Sequence, residues 1–167
     1  MGLILEISNL IKQYNNEHEN DTKPYNIFKV LEVSDKEVIM CRFLADLINP
    51  NGEHNHGNFY LKMFLDEVLH FEENSDSEIE KLRVYKEYPI NLERRIDIVI
   101  RSSNFFIPIE VKINAGEQKS QCYDYYRHAV IEDKNTKVVY LTKYGTLPSE
   151  YSTMEAKAFD LIKKYFE

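Results

Sequence analysis

The sequence predicts an α/β protein whose core is a four-stranded mixed sheet flanked by helices, in the order αβββαβ. Three segments rich in β-branched and aromatic residues follow one another within residues 83–112, separated by short polar turns, and predict a meander of three strands. A helical segment at residues 117–130 then precedes an apolar fourth strand at residues 136–142. A helix crossover that follows a meander gives a mixed sheet.

Length and composition indicate a single domain over residues 1–167, with residues 1–33 as an N-terminal helical extension. A chain of 167 residues, 43% of them hydrophobic, can bury one core but is short for two. Apolar residues recur at helical spacing within the first fifteen positions, which predicts an amphipathic helix there. Residues 150–166 have the composition of a final helix.

Charge and hydropathy bear on the location and partners of the protein. The net charge of −7 and the pI near 5.3 argue against a protein that coats nucleic acid by bulk charge. Between Lys81 and Lys143, however, basic residues outnumber acidic ones, so the acidic excess lies in the flanks. The first residues show neither the basic segment nor the long apolar core that is typical of a secretory leader, and no later stretch approaches the length of a membrane span. We therefore expect a soluble, cytoplasmic protein without a membrane partner, and leave the oligomeric state open.

The second and third strands carry charges where the neighbouring positions are apolar. In the third strand, alternation places Glu110 and Lys112 on the face opposite the apolar side chains. In the second strand, alternation separates Asp97 from Ile96, Ile98 and Ile100. Two carboxylates supply hard oxygen ligands for Mg²⁺, and a lysine beside them can orient a water or steady a developing charge. The alternative is an ion pair on a solvent-facing sheet.

A further carboxylate, Glu37, lies on the apolar face of the helix that it begins. The buried stripe of that helix is predicted to be Met40, Cys41, Leu44, Leu47 and Ile48. A carboxylate on this face needs a metal, a lysine or a backbone amide as its partner, because an unpaired buried charge is costly. The alternative is local, with Ser34 capping the helix and Glu37 closing a capping box.

Asp97, a gap and then Glu110-x-Lys112 on adjacent strands resemble the signature of the PD-(D/E)XK nuclease superfamily. The resemblance implies a restriction-endonuclease-like fold and nuclease activity. The helix after the third strand adds to it, because Gln121 and Tyr125 are similar to the Gln-x-x-x-Tyr motif of RecB-like members. That motif helps to hold the active-site face and the nucleic acid. An ordinary polar helix face is the alternative for this pair of residues.

The N-terminal half carries a more specific likeness. Glu37, Phe43-Leu44 and Asn49-Pro50, with His56-Gly57 downstream, resemble the N-terminal pattern of one bacterial branch of the superfamily. That branch has a His three residues after the Glu, where this chain has Met40. Members of the branch are usually longer, so the resemblance leaves open whether this chain is a fragment or a minimal form.

The resemblance implies a nuclease that depends on a divalent metal and acts on DNA, with RNA as the other option. The catalytic residues it implies are Asp97, Glu110, Lys112 and Gln121. The ligands it implies for Mg²⁺ or Mn²⁺ are Glu37, Asp97, Glu110 and the Val111 carbonyl. The substrate contacts it implies are Gln121 and Tyr125, and Gln118 lies on the same helix face. Arg94, Arg95, Lys119 and Arg127 are candidates for phosphate contact, and a solvated surface position is the alternative for each. The second hypothesis is a non-catalytic module that binds nucleic acid or a protein partner.

Overall fold

The structure, a computed structural model, describes residues 25–70, 76–154 and 161–165, with Asp76 and residues 161–165 described by their backbone alone. The chain divides into two compact units, Met1–Glu32 and Val33–Glu167. The helix predicted in the first fifteen residues lies outside the described residues. The assignment of residues 1–167 to one domain, with 1–33 as its extension, stays a prediction.

In the first unit, the described part contains a short helix, α1, Ile27–Val30. The Asn26 side chain caps it by accepting the Lys29 N–H at 3.1 Å. In the second unit, the described residues before the sheet form helices α2, Glu37–Leu47, α3, Phe59–Leu69, and α4, Asp76–Ile79. Each of the two longer helices turns an apolar face inward, as their helical spacing predicts.

The described strands form one five-stranded sheet in the spatial order β1-β2-β3-β4-β5. Their bounds are Arg83–Pro89, Arg95–Arg101, Phe106–Lys112, Val138–Thr142 and Leu161–Tyr165. The first three strands are antiparallel neighbours, and β4 runs parallel to β3 after helix α5, Gln121–Glu132. The predicted αβββαβ order and the mixed sheet flanked by helices are therefore confirmed.

The prediction of one helix over residues 150–166 is wrong. That segment contains a single helical turn, α6, Glu150–Thr153, and then β5, which pairs in parallel with β4. All five residues of β4 are buried, so its outer edge needs backbone partners that water does not supply. Strand pairing at this edge outweighs the local preference of the sequence for helix.

The two faces of the sheet are covered by different helices. The larger apolar cluster joins Ile107, Ile109 and Val111 of β3 to the buried faces of α2, α3 and α4. The smaller cluster lies on the opposite face, where Phe106 packs with Tyr125 of α5. This alternation along β3 is the one predicted from the sequence, and it assigns Glu110 to the α5 face.

The alternation in β2 breaks at Asp97. Ile98 packs into the larger cluster, as predicted, but Ile96 packs into the smaller one, so the prediction that both share a face is wrong. The pairing of β1 with β2 also skips this point: it includes Lys86 with Ile98 and Tyr88 with Ile96, and Glu87 between them has a φ of 49°. A residue in the left-handed region interrupts regular pairing and redirects neighbouring side chains, which accounts for the change of face.

We expect Ile100→Ala to lower the free energy of unfolding by about 2–5 kcal/mol, because Ile100 is fully buried in the larger cluster and alanine leaves a cavity. Leu92→Ala is the matched control: Leu92 is fully exposed, so its truncation should change stability by no more than about 0.5 kcal/mol. Urea unfolding measures both. Equal effects of the two substitutions would contradict the assignment of this core.

Candidate active site

The site is built where β2 and β3 separate. Their backbone pairing runs from Arg101 and Phe106 to Ile98 and Ile109. Asp97 is the next residue along β2 beyond that last pair. Its Oδ2 accepts the N–H of Val111 at 2.9 Å, so a side chain takes the place of a strand partner. The end of the pairing thus directs a carboxylate into the fork between the two strands.

Glu110 is the most buried charge of the site, with 1% of its side chain exposed. Its Oε1 lies 2.7 Å from Lys112 Nζ and accepts the Nε2–H of Gln121 at 2.8 Å. Its Oε2 is buried and has no hydrogen-bond partner within the described segments. One oxygen of this carboxylate therefore has two donors, while the other is removed from water and has no donor from the described part of the protein.

The charges of the site shift one another's proton affinities. Burial raises the pKa of Glu110 to about 8, with the nearby Asp97 charge adding to the rise and Lys112 opposing it. Burial likewise raises the pKa of Asp97, although the Val111 N–H and Lys112 oppose it. Burial alone would lower the pKa of Lys112, but Glu110, Glu37 and Asp97 raise it above its ordinary value. The lysine therefore stays charged beside two carboxyl groups that resist ionisation.

Glu37 is bound by backbone amides at the end of β3. Its Oε2 accepts the N–H of Ile113 at 3.0 Å and of Ala115 at 3.4 Å. Helix α2 begins at Glu37 with Lys36 as the N-cap, and no side chain caps it, so the capping box with Ser34 is not formed. Of the partners that the sequence left open for Glu37, the structure supplies the backbone amide, and this contact ties α2 to the β3–α5 loop.

Gln121 and Tyr125 lie in the interior. Gln121 Nε2 donates to Glu110 and also to Tyr125 Oη at 3.0 Å, and the tyrosine hydroxyl donates to the Arg95 carbonyl at 2.6 Å. Both side chains are buried, with 5% and 1% exposure. The Gln-x-x-x-Tyr pair therefore forms a chain of hydrogen bonds from β3 through α5 to β2. Its position suits it to fix Glu110 more than to contact a substrate directly.

Arg94 links the start of β2 to the start of α5 by hydrogen bonds. Its Nε donates to Asp124 Oδ2 at 3.0 Å and its Nη1 to Gln118 Oε1 at 2.7 Å, while Nη2 reaches the Lys119 carbonyl. All three nitrogens of this guanidinium therefore have protein acceptors. The exposed residues Arg95 and Lys119 keep their side chains on the surface.

A cavity of about 220 Å³ opens beside Asp97, and it is lined by basic residues that were not predicted from the sequence. Arg42 of α2 and Lys86 of β1 line it together with Glu37 and Cys41. Helical spacing could have identified Arg42, which is four residues after the lining residue Val38. Lys86 has no such signal, because its place depends on how β1 pairs with β2. Burial raises the pKa of Cys41 to about 12, so its thiol adds no charge.

The structure does not assemble the three-carboxylate cage implied for a metal. No group of three or more His, Cys, Asp or Glu side chains in the described ranges could hold a metal ion, and Glu37 is bound by amides. Asp97 and Glu110 nevertheless fit a divalent cation: one buried carboxylate oxygen has no donor in the part of the chain that the structure describes, and a second carboxylate lies beside it. Mg²⁺ is commonly held by one or two carboxylates and keeps several waters, so these two residues suffice as protein ligands.

The chain matches the PD-(D/E)XK nuclease superfamily over residues 25–165, and it belongs to that superfamily. The match covers the sheet, α2 and α5, and with them every residue of the fork. None of the curated proteins and none of the solved structures matches the chain. Among the helices that the structure describes, none is both long and apolar enough to cross a bilayer.

We expect Glu110→Gln to stabilise the metal-free protein, and more so at high pH. Since the folded pKa of Glu110 lies above its unfolded value of 4.5, the folded state holds the extra proton between 4.5 and about 8, and stability falls as the pH rises through that range. Glutamine removes this loss and keeps an oxygen for Lys112. Urea unfolding in EDTA between about pH 5 and pH 8 measures the difference.

Glu93→Gln, on the exposed turn between β1 and β2, is the matched control for this measurement. Its stability should follow that of the parent across the same pH range. A constant difference between Glu110→Gln and the parent at every pH would show that the buried carboxyl group does not carry the effect.

Proposed function

We propose that the protein is a divalent-metal-dependent nuclease of the cytoplasm that hydrolyses phosphodiester bonds of DNA, with RNA as the other substrate. The observation that carries the proposal is the environment of Glu110. One oxygen is held by Lys112 and Gln121, while the other is buried beside Asp97 and has no donor among the described residues. A buried carboxylate in this environment favours a bound cation, and a cation at this position can bind a phosphate group. The chain also belongs to a nuclease superfamily.

Asp97 and Glu110 would hold Mg²⁺ or Mn²⁺, with the Val111 carbonyl and Glu37 as further candidates. The ion, when bound, lowers the pKa of water and offsets negative charge on the phosphate oxygens. The protein itself positions the two carboxylates and the lysine. Val111 fixes Asp97 through its N–H, and Gln121 fixes Glu110. Lys112, held protonated at 2.7 Å from Glu110, can donate a hydrogen bond to the attacking water or to the phosphate.

Basic side chains beside the fork provide phosphate contacts. Arg42 and Lys86 line the cavity next to Asp97, and Arg95 is exposed at the start of β2. Arg94 is a weaker candidate than it was on sequence, since its guanidinium is already bound by the protein. Contacts of this kind bind nucleic acid without regard to sequence and weaken with added salt.

We expect Lys112→Ala to abolish cleavage while leaving nucleic-acid binding within a few-fold of the parent, because its ammonium acts on the transition state. Cleavage of labelled single- and double-stranded DNA and RNA in Mg²⁺ or Mn²⁺, with binding measured by fluorescence anisotropy, tests this. Lys134→Ala is the matched control. Lys134 is exposed in the loop before β4, whereas Lys112 pairs with Thr142 at the opposite end of β4. Full activity of Lys112→Ala would remove the lysine from the mechanism.

Asp97→Asn and EDTA are the controls for the reaction itself. Cleavage that survives both belongs to a contaminant. If the parent cleaves no substrate in either metal but still binds nucleic acid or a protein, the alternative of a non-catalytic module takes the place of the nuclease proposal.

We expect millimolar Mg²⁺ or Mn²⁺ to raise the melting temperature of the parent relative to EDTA, because an ion that binds only the folded state stabilises it by mass action. Asp97→Asn should lose most of this rise, since it removes a ligand charge. Differential scanning fluorimetry measures both proteins in the two conditions. Identical midpoints for the parent with and without metal would contradict a metal site in the fork.

A further inference from the structure

A second open groove, of about 350 Å³, is lined by Lys112 and shares no lining residue with the Asp97 cavity. One wall is the β3–α5 loop, which includes Asn114 and Gly116, and the other is the loop after β4. Strands β3 and β4 are parallel neighbours, with Lys112 paired to Thr142, so both loops leave the same edge of the sheet. Ligands of open α/β sheets bind outside the carboxyl ends of the strands, and the groove lies at this end of β3 and β4.

The loop after β4 presents a lysine and a tyrosine at the tip of a tight turn. The Gly145 N–H donates to the Thr142 carbonyl at 3.2 Å, and Gly145 has a φ of 61°, which glycine adopts without strain. The hydroxyl groups of Thr142 and Thr146 hydrogen-bond within the same loop. The Tyr144 side chain is 73% exposed at this tip, held on a locally fixed backbone.

The charge of the groove favours an anion. Lys143 lines it together with Lys112, whose ammonium is paired with Glu110 at 2.7 Å, and Lys143 Nζ lies 5.2 Å from the centroid of the Tyr144 ring. Glu117 is the one carboxylate among the described residues that line the groove. It already accepts hydrogen bonds from the Tyr140 hydroxyl at 3.0 Å and from the Ser149 N–H at 2.9 Å, and the Ser149 hydroxyl also reaches it.

We propose that this groove binds a single-stranded segment of nucleic acid, with one base stacked on the Tyr144 ring and its phosphate near Lys143. The proposal rests on the proposed function of the fork and names the form of its substrate. Thr142 is paired with Lys112, and Tyr144 follows it by two residues within the turn, so the two Cα atoms are at most roughly 7 Å apart. A base on Tyr144 thus belongs to a nucleotide close to the phosphate at Lys112.

Stacking on an exposed aromatic ring requires an unpaired base. A base within a duplex already has neighbours on both faces, whereas a single strand offers a free face that any base provides. The combination of a basic groove and an aromatic platform is the usual design of single-strand binding sites that read no sequence. The groove therefore predicts preference for single strands or frayed ends over continuous duplex.

The test compares the parent chain of 167 residues with Tyr144→Ala, Tyr144→Phe and Tyr85→Ala. Tyr85 is the matched control, an exposed tyrosine of β1 whose ring packs on Tyr88 and which does not line the groove. Binding is measured by fluorescence anisotropy in EDTA. The probes are a single-stranded oligonucleotide of about twelve nucleotides, a series in which one abasic position moves along it, and the matching duplex.

The parent should bind the single strand more tightly than the duplex, and one abasic position should weaken its binding. Tyr144→Ala should bind the intact strand roughly 5- to 100-fold more weakly and lose its sensitivity to the abasic position, since both changes remove the same stack. Tyr144→Phe and Tyr85→Ala should behave like the parent. Thermal melts establish that each variant is folded.

Cleavage by the same proteins in Mg²⁺ separates this proposal from the one it rests on. A parent that cleaves nucleic acid, with Tyr144→Ala still as sensitive to abasic positions as the parent, overturns the stacking site and leaves the nuclease proposal standing. Tighter binding of duplex than of single strand also overturns it. A parent that neither binds nor cleaves any of the probes overturns both.

Discussion

The buried contact between Glu110 and Lys112 is the interaction on which the rest of the site depends. A carboxylate with 1% exposure is costly to ionise, and one lysine 2.7 Å away does not offset burial and the neighbouring Asp97, since the pKa of Glu110 remains raised. The fold holds this unfavourable group in place from two sides. Gln121 binds its first oxygen from α5, and the strand that carries it packs its other face against α2, α3 and α4.

Backbone amides, rather than further lysines, bind the other two carboxylates of the site. Asp97 accepts from Val111, and Glu37 accepts from Ile113 and Ala115, all at the end of β3 where strand pairing stops. Such amides lower the cost of a carboxylate without adding a mobile charge. As a result, the groups that surround the fork are fixed by the main chain, and Lys112 is the cation that contacts Glu110 there.

Much of the fold was predictable because hydrophobic alternation and turn residues are local signals. The three-strand meander, the crossover helix and the fourth strand followed from them, as did the alternation along β3. Pairing between distant segments was not predictable: β5 exists because β4 offers an edge, and Ile96 changes face because Glu87, across from Asp97, has a left-handed backbone. The spacing of Glu110 and Lys112 is a local signal, so the sequence identified both residues. The place of Lys86 beside Asp97 and the binding of Arg94 by α5 depend on distant segments, so the sequence could not identify them.

The candidate site lies where the sheet stops being regular. Pairing of β2 with β3 ends at Ile98 and Ile109, and pairing of β1 with β2 skips Asp97. Pairing of the parallel strands β3 and β4 ends at Lys112 and Thr142. A regular sheet buries its backbone polar groups in pairs and has no room for a ligand. Each interruption here instead leaves space that a charged side chain lines, with Asp97 lining the cavity and Lys112 lining the groove. The stable ladder from Arg101 to Ile98 and the core beneath it are what allow three such interruptions to coincide without loss of the fold.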